Sequence, residues 1–132
     1  MVKIKFRAWD KDTKLLLDVN TIDYKKSVAI CEHWEFGETT ELTFGDIILM
    51  QSTGIKDKHD VEIFGGDIVE TTWYDMDDNP YRKAGCVTFR DGYFGIRYPD
   101  DCEKYSYQAL FAALDVEVIG NIYENPELME EI

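Results

Sequence analysis

The chain has 132 residues, 45% of them hydrophobic and 14% aromatic, with 27 acidic against 14 basic residues for a net charge of -13. That length buries one core and is short for two, so a single domain over residues 1–132 is expected, and no run approaches the roughly 18 apolar residues that span a bilayer. The acidity argues against tracking a phosphate backbone and for solubility and basic partners, because such binding is driven by Lys and Arg displacing counterions.

The first element is Lys3 to Trp9, where Ile4, Phe6 and Ala8 fall on one face and Lys3, Lys5, Arg7 and Trp9 on the other. That period of two predicts a strand. The run Asp10-Lys11-Asp12-Thr13 then supplies turn chemistry before Leu15 to Val19, which predicts an N-terminal β-hairpin. The alternating start has no unbroken apolar segment and directs the chain nowhere, so the cytoplasm is expected. Between Ile22 and Glu41 the signal weakens to one short strand, Ser27 to Cys31, and a polar loop from His33 to Thr40.

Gly45 to Gln51 is an apolar run of strand length and reads as a central strand. In Lys56-Asp57-Lys58-His59-Asp60 five polar residues between Ile55 and Val61-Glu62-Ile63 predict an exposed turn between two short extended arms. Gly65-Gly66 re-aims the chain, since glycine reaches positive φ without a Cβ clash, and Asp67 is placed to accept nearby backbone amides at the start of a strand over Gly66 to Tyr74. After the acidic loop Asp75 to Pro80, the strands Gly85 to Arg90 and Tyr93 to Tyr98 flank Asp91-Gly92, a tight-hairpin signal. Ser106 predicts the cap of a short helix through Leu114, Glu117 to Tyr123 returns to strand chemistry, and Asn125-Pro126-Glu127 reads as the capped start of a small terminal helix. The fold class is mainly β with α+β additions: a small SH3-like or partly open barrel with an N-terminal hairpin and one or two short helices, its core including Phe6, Leu49, Ile68, Val87, Phe89 and Ile119.

Sites of chemistry are harder to assemble. Cys31, Cys86 and Cys102 are odd in number and far apart, which suggests reduced thiols and neither disulfides nor a zinc site. Cys31 and His33 would share a strand face as thiol and base, but no orienting partner is recognisable; His59 sits in a charged turn. Asp75, Asp77 and Asn79 match the first three ligand positions of a calcium loop, whereas Pro80 stands where the turn glycine belongs and Cys86 where a bidentate Glu belongs. Trp73, Tyr74, Tyr93, Phe94, Tyr98, Tyr105 and Tyr107 could stack bases only if Arg82, Lys83, Arg90 and Arg97 gathered on one face. No catalytic, cofactor or metal set is complete, and no enzyme is expected.

The blocks Leu49-Met50-Gln51, Thr53-Gly54, Lys56-Asp57-Lys58, Glu62-Ile63, Gly66-Asp67-Ile68-Val69 and Val118 to Leu128, with Ile4 to Asp10, resemble in their joint order the YopX family. The resemblance runs over the whole chain. It implies a β-rich protein of bacteriophages and prophages with no established activity. Two positions depart from the expected pattern, His59-Asp60 in place of an Asn-Gly-like turn and Phe64-Gly65 in place of a bulky residue followed by Glu. The residues singled out as a structural motif are Gly54, Gly65, Gly66, Asp67, Gly120, Asn121, Asn125 and Pro126. Three functions remain open: a self-associating or adaptor-like protein of the phage cycle, an acidic binder of a basic host or phage protein that covers its nucleic-acid-binding surface, and a weak single-stranded nucleic-acid binder. Exposed strand edges and an apolar-tipped C-terminus at Leu128, Met129 and Ile132 favour a homo-oligomer.

Overall fold

Backbone pairing, more than helix propensity, organises this chain: in a computed structural model describing residues 4–33, 37–99 and 107–129, strands take 59% of the described residues and helical turns 9%. The mainly β expectation therefore holds. The strands are β1 (Phe6–Asp10), β2 (Leu15–Asp23), β3 (Val28–Glu32), β4 (Thr39–Thr43), β5 (Ile47–Lys56), β6 (Glu62–Phe64), β7 (Asp67–Tyr74), β8 (Pro80–Arg90), β9 (Tyr93–Arg97), β10 (Tyr107–Ala109) and β11 (Glu117–Asn121). Two compact units divide the chain between Ser52 and Thr53. Among the described residues no helix is long and apolar enough to cross a membrane.

In the first unit the neighbour order is β4-β3-β2-β1-β5, antiparallel throughout. The β1–β2 hairpin is the predicted one, and Asp10 turns it: its Oδ1 accepts the amides of Asp12 at 3.0 Å and Thr13 at 3.4 Å. Ala8, Leu17, Ala29, Cys31 and Ile47 form the buried cluster. Strand β4 lies at the end of what reads as a polar loop. Thr-Thr-Glu-Leu-Thr has strand propensity but no apolar alternation, because most of its side chains stay exposed at a sheet edge.

In the second unit the order is β10-β9-β8-β7-β11, with β6 beside the continuation of β5. Ile63, Val69, Val87, Ile96, Tyr98 and Leu110 make its core. Of the six expected core residues, Ile68 and Val87 are fully buried, Phe6, Leu49 and Ile119 half-buried, and Phe89 is 59% exposed. Phe89 shares the inward face with Val87, but it sits one residue from the Asp91-Gly92 turn, past the end of the packed core, with Phe94 edge-on to it at 5.0 Å.

The helix expected from Ser106 to Leu114 is not formed. Ser106 lies outside the described residues, and Tyr107–Ala109 instead pairs with Gly95 to Arg97 as β10 before a 3-10 turn at Leu110–Ala112. Tertiary packing overrides the helical preference: the Tyr107 ring occupies the space above Gly95, and its hydroxyl donates to the Tyr93 carbonyl at 3.1 Å. The terminal helix is a single 3-10 turn, Pro126–Met129, that packs back on β8; Ile132, part of the expected apolar tip, lies outside the described residues.

Candidate functional site

The strongest convergence of polar groups lies in the second unit, where two sequence-distant stretches of the motif meet. Strand β11 pairs with β7 so that Asn121 faces Asp67 and Gly120 faces Ile68. Gly66, at φ +95°, donates its amide to the Val87 carbonyl at 2.8 Å and accepts from Ile122 at 3.0 Å. Asp67 is 1% exposed, and its Oδ2 accepts the Phe64 amide at 2.8 Å, closing the β6–β7 turn through Gly65.

The same logic repeats along the C-terminal block. Asn121 Oδ1 accepts the amides of Tyr123 at 3.0 Å and Glu124 at 2.9 Å. Asn125 stands at the start of the turn Pro126–Met129, its carbonyl accepting the Leu128 amide at 3.1 Å, while its side-chain Oδ1 reaches back to accept the Asn121 amide at 3.3 Å. That reach requires Gly120, because a Cβ there would stand 2.5 Å from Asn125 Oδ1. Gly54, at φ +78°, bends β5 in open space.

Asp57 is the residue that sequence reasoning placed wrongly. Within a pentapeptide read as an exposed turn it is 8% exposed. Its Oδ1 accepts from His59 at 2.8 Å and Val61 at 2.9 Å, and its Oδ2 accepts from Val118, 61 residues away, at 2.9 Å. Burial pushes this carboxyl up, but the amides of Val118, Val61 and His59 and the His59 charge outweigh it and hold it below the usual range. A Lys-Asp-Lys-His-Asp run looks solvated because nothing local reveals that one carboxylate has a distant amide to satisfy.

Around Asp57 lies a charged rim. Glu117 takes Lys58 at 3.7 Å, His59 at 3.5 Å and Arg82 at 3.4 Å. Arg82 also donates to Thr72 Oγ1, the Asp115 carbonyl and the Glu70 carbonyl. Strand pleating puts Arg82, Arg90 and Arg97 on one face of the sheet and Lys83 on the other, where its Nζ lies 4.8 Å from the Trp73 ring and 4.7 Å from the Tyr98 ring. Arg90 stacks 4.1 Å over Tyr107 beside Asp91. Thus three of the four cations share a face, yet Arg82 is held by the protein's own carboxylates. Tyr105 lies outside the described residues.

The other candidate residues do not assemble. Asp75 Oδ1 accepts the amides of Asp77 and Asn79, each at 2.9 Å, and the Asn79 amide is the chief cause of its lowered carboxyl pKa. This loop is closed by its own backbone. Among the described residues no three His, Cys, Asp or Glu side chains are placed to hold a metal ion. The structure does bring a carboxylate, Asp10, near Cys31, but burial and then Asp10 raise the thiol's pKa, opposite to what a nucleophile needs. Burial likewise raises Cys86, and Cys102 lies outside the described residues.

Among solved structures, the crystal structure of protein EF1440 from Enterococcus faecalis is similar at 31% identity and a TM-score of 0.65, covering 98% of this chain and 100% of that one. No curated protein matches. The YopX protein family matches residues 5–130, spanning both the Gly66-Asp67 turn and the Asn121–Asn125 block that pairs with it. The chain belongs to the YopX family.

Proposed function

We propose that this protein is a phage- or prophage-encoded, non-catalytic component of the bacterial cytoplasm that acts by protein contact, with a second copy of itself as the first partner. The observation that carries the reading is the outer edge of β4, which ends its sheet. Bonds from the Phe44 amide to Ser27 and from the His33 amide to Glu38 fix the alternation, so Glu38, Thr40, Leu42 and Phe44 face β3. Thr39, Glu41 and Thr43 therefore turn their amides and carbonyls to the open side. An antiparallel pairing of two β4 strands about Leu42 sets Leu42 against Leu42 and Glu41 against Thr43, which avoids opposing the two Glu41 carboxylates.

The absence of catalysis in this reading rests on where the polar side chains point. Asp57, Asp67, Asn121 and Asn125 direct oxygens to backbone amides, a use that leaves them little for a substrate. Light scattering over a range of protein concentration and salt tests self-association. A mass above one chain, rising as salt screens the -13 charge, is expected; one chain under every condition overturns it.

A second reading, an acidic binder that covers a basic protein's nucleic-acid-binding surface, is favoured by the way Arg82 is neutralised by Glu70 and Glu117, leaving exposed acids in excess. Capture of a basic partner at low salt and its loss at high salt would select it. Direct binding of single-stranded nucleic acid ranks third, since Lys83 lies on the face opposite the three arginines.

A further inference from the structure

The β4 edge carries opposite charge at its two ends. At the C-terminal end stands the β2–β3 turn, held there by the Ser27 carbonyl, which accepts the Phe44 amide at 2.9 Å, and by the Tyr24 ring edge-on to Phe44 at 6.4 Å. Asp23 Oδ1 accepts the amides of Lys25 at 3.0 Å and Lys26 at 3.1 Å, which fixes two exposed lysines in that turn. At the N-terminal end stands the exposed Glu38, with Glu32 of β3 across from Thr39. We infer that, in the self-associated protein, Lys25 and Lys26 of one copy pair with the partner's Glu38 at both ends of the β4–β4 contact, and that these pairs set its antiparallel direction. The inference rests on the self-association reading and adds to it the side chains that select the partner.

Strand β3 runs antiparallel to β4, with Val28 opposite Thr43, so stepping back from Ser27 to Lys26 and Lys25 follows the direction in which β4 runs out. In a pair of β4 strands centred on Leu42, Thr43 faces the partner's Glu41 and Phe44 the partner's Thr40. The same register sets Lys26 level with the partner's Thr39 and Lys25 level with the partner's Glu38. The lateral gap is two strand spacings, about 10 Å, which extended Lys and Glu side chains span together. Among the described residues Lys25, Lys26 and Glu38 form no ion pair within their own chain, whereas Asp46 and Lys11, at the basic end, are engaged: Asp46 Oδ2 accepts from Thr43 Oγ1 at 2.9 Å, and Lys11 Nζ donates to the Gly45 carbonyl at 3.1 Å. A parallel pairing would set lysines on lysines and carboxylate on carboxylate, so charge selects the antiparallel dimer.

The test is sedimentation equilibrium of the full chain at the salt that most favours the wild-type dimer, with two variants, Lys25→Glu/Lys26→Glu and Glu38→Lys, each alone and the two mixed in equal amounts. Each variant alone opposes like charges at both ends and should dimerise about tenfold more weakly than the wild type, roughly threefold per end. In the mixed pair both ends oppose unlike charges again, so the mixture should form heterodimers with about wild-type affinity. Net charge alone predicts otherwise, since Glu38→Lys makes a chain of net charge -13 less negative and would tighten self-association. All three positions are exposed; should a reversal not fold, Lys25→Gln/Lys26→Gln or Glu38→Gln carries the test, with an expected weakening of about threefold. A Glu38→Lys variant that dimerises as well as the wild type, or a mixture no tighter than its components, overturns the inference and leaves the self-association reading standing. A wild type of one chain under every condition overturns both.

Discussion

Replacing Asp57 should uncouple the β5–β6 turn from β11. In the wild type its carboxylate satisfies three amides, of which those of His59 and Val61 lie in the turn itself while Val118 lies in a half-buried strand. After Asp57→Ala the turn amides regain water at small cost, but the Val118 amide loses a charged partner worth about 1.5–3 kcal/mol, for a total near 3 kcal/mol. Asp57→Asn still offers one oxygen, so about half of that loss is expected. For a chain of this size the alanine variant should melt about 10 °C lower.

The pH dependence has a fixed sign. Because the folded carboxyl is held below its ordinary value, its contribution is fully present above the unfolded pKa of about 4 and is lost as pH falls through the folded value. Urea unfolding of wild type and Asp57→Asn from neutral pH down to acid should therefore show a stability gap that closes below about pH 4. Variants within about 0.5 kcal/mol of wild type at neutral pH, or a gap that widens as pH falls, would refute the reasoning.

Gly95→Ala should cost about 2–3 kcal/mol in urea unfolding, because a Cβ there meets the Tyr107 ring that holds β10; Gly92→Ala, strained at φ +91° but in open space, should cost about 1 kcal/mol. Gly120→Ala should displace Asn125 and cost about 2 kcal/mol, and Asn125→Ala in that background should add little, since the two changes break the same contact. Cys31 and Cys86 are buried with raised thiol pKa values, so peptide mapping after alkylation should find them modified only in unfolded protein; labelling of the native chain within minutes would contradict their placement.

Much of this architecture is legible in the residues. Period-two alternation locates β1, Asp91-Gly92 locates the β8–β9 hairpin, and Gly66-Asp67 marks the turn into β7. What fails does so where a long-range contact decides the outcome. Tyr107 to Leu114 reads as a helix, but the Tyr107 ring over Gly95 fixes Tyr107–Ala109 as a strand instead. Thr39 and Thr40, the first residues of β4, read as the end of a polar loop because an edge strand needs no apolar face. Trp9 alternates with the polar residues of β1 yet is 7% exposed, since that end of β1 is buried on both faces. Asp57 looks like an ordinary turn acid; only the fold brings Val118 to it.

The measurement that bears most directly on the protein's working as a contact module is sedimentation velocity of the wild type beside Glu41→Pro. Proline at residue 41 removes an amide that points away from β3, leaving every β3–β4 hydrogen bond in place while blocking strand addition at the open edge. The wild type should sediment as a dimer at high concentration and salt, and a folded Glu41→Pro variant as a single chain under the same conditions. A wild type that remains a single chain throughout, or a variant that dimerises as well as the wild type, would contradict it.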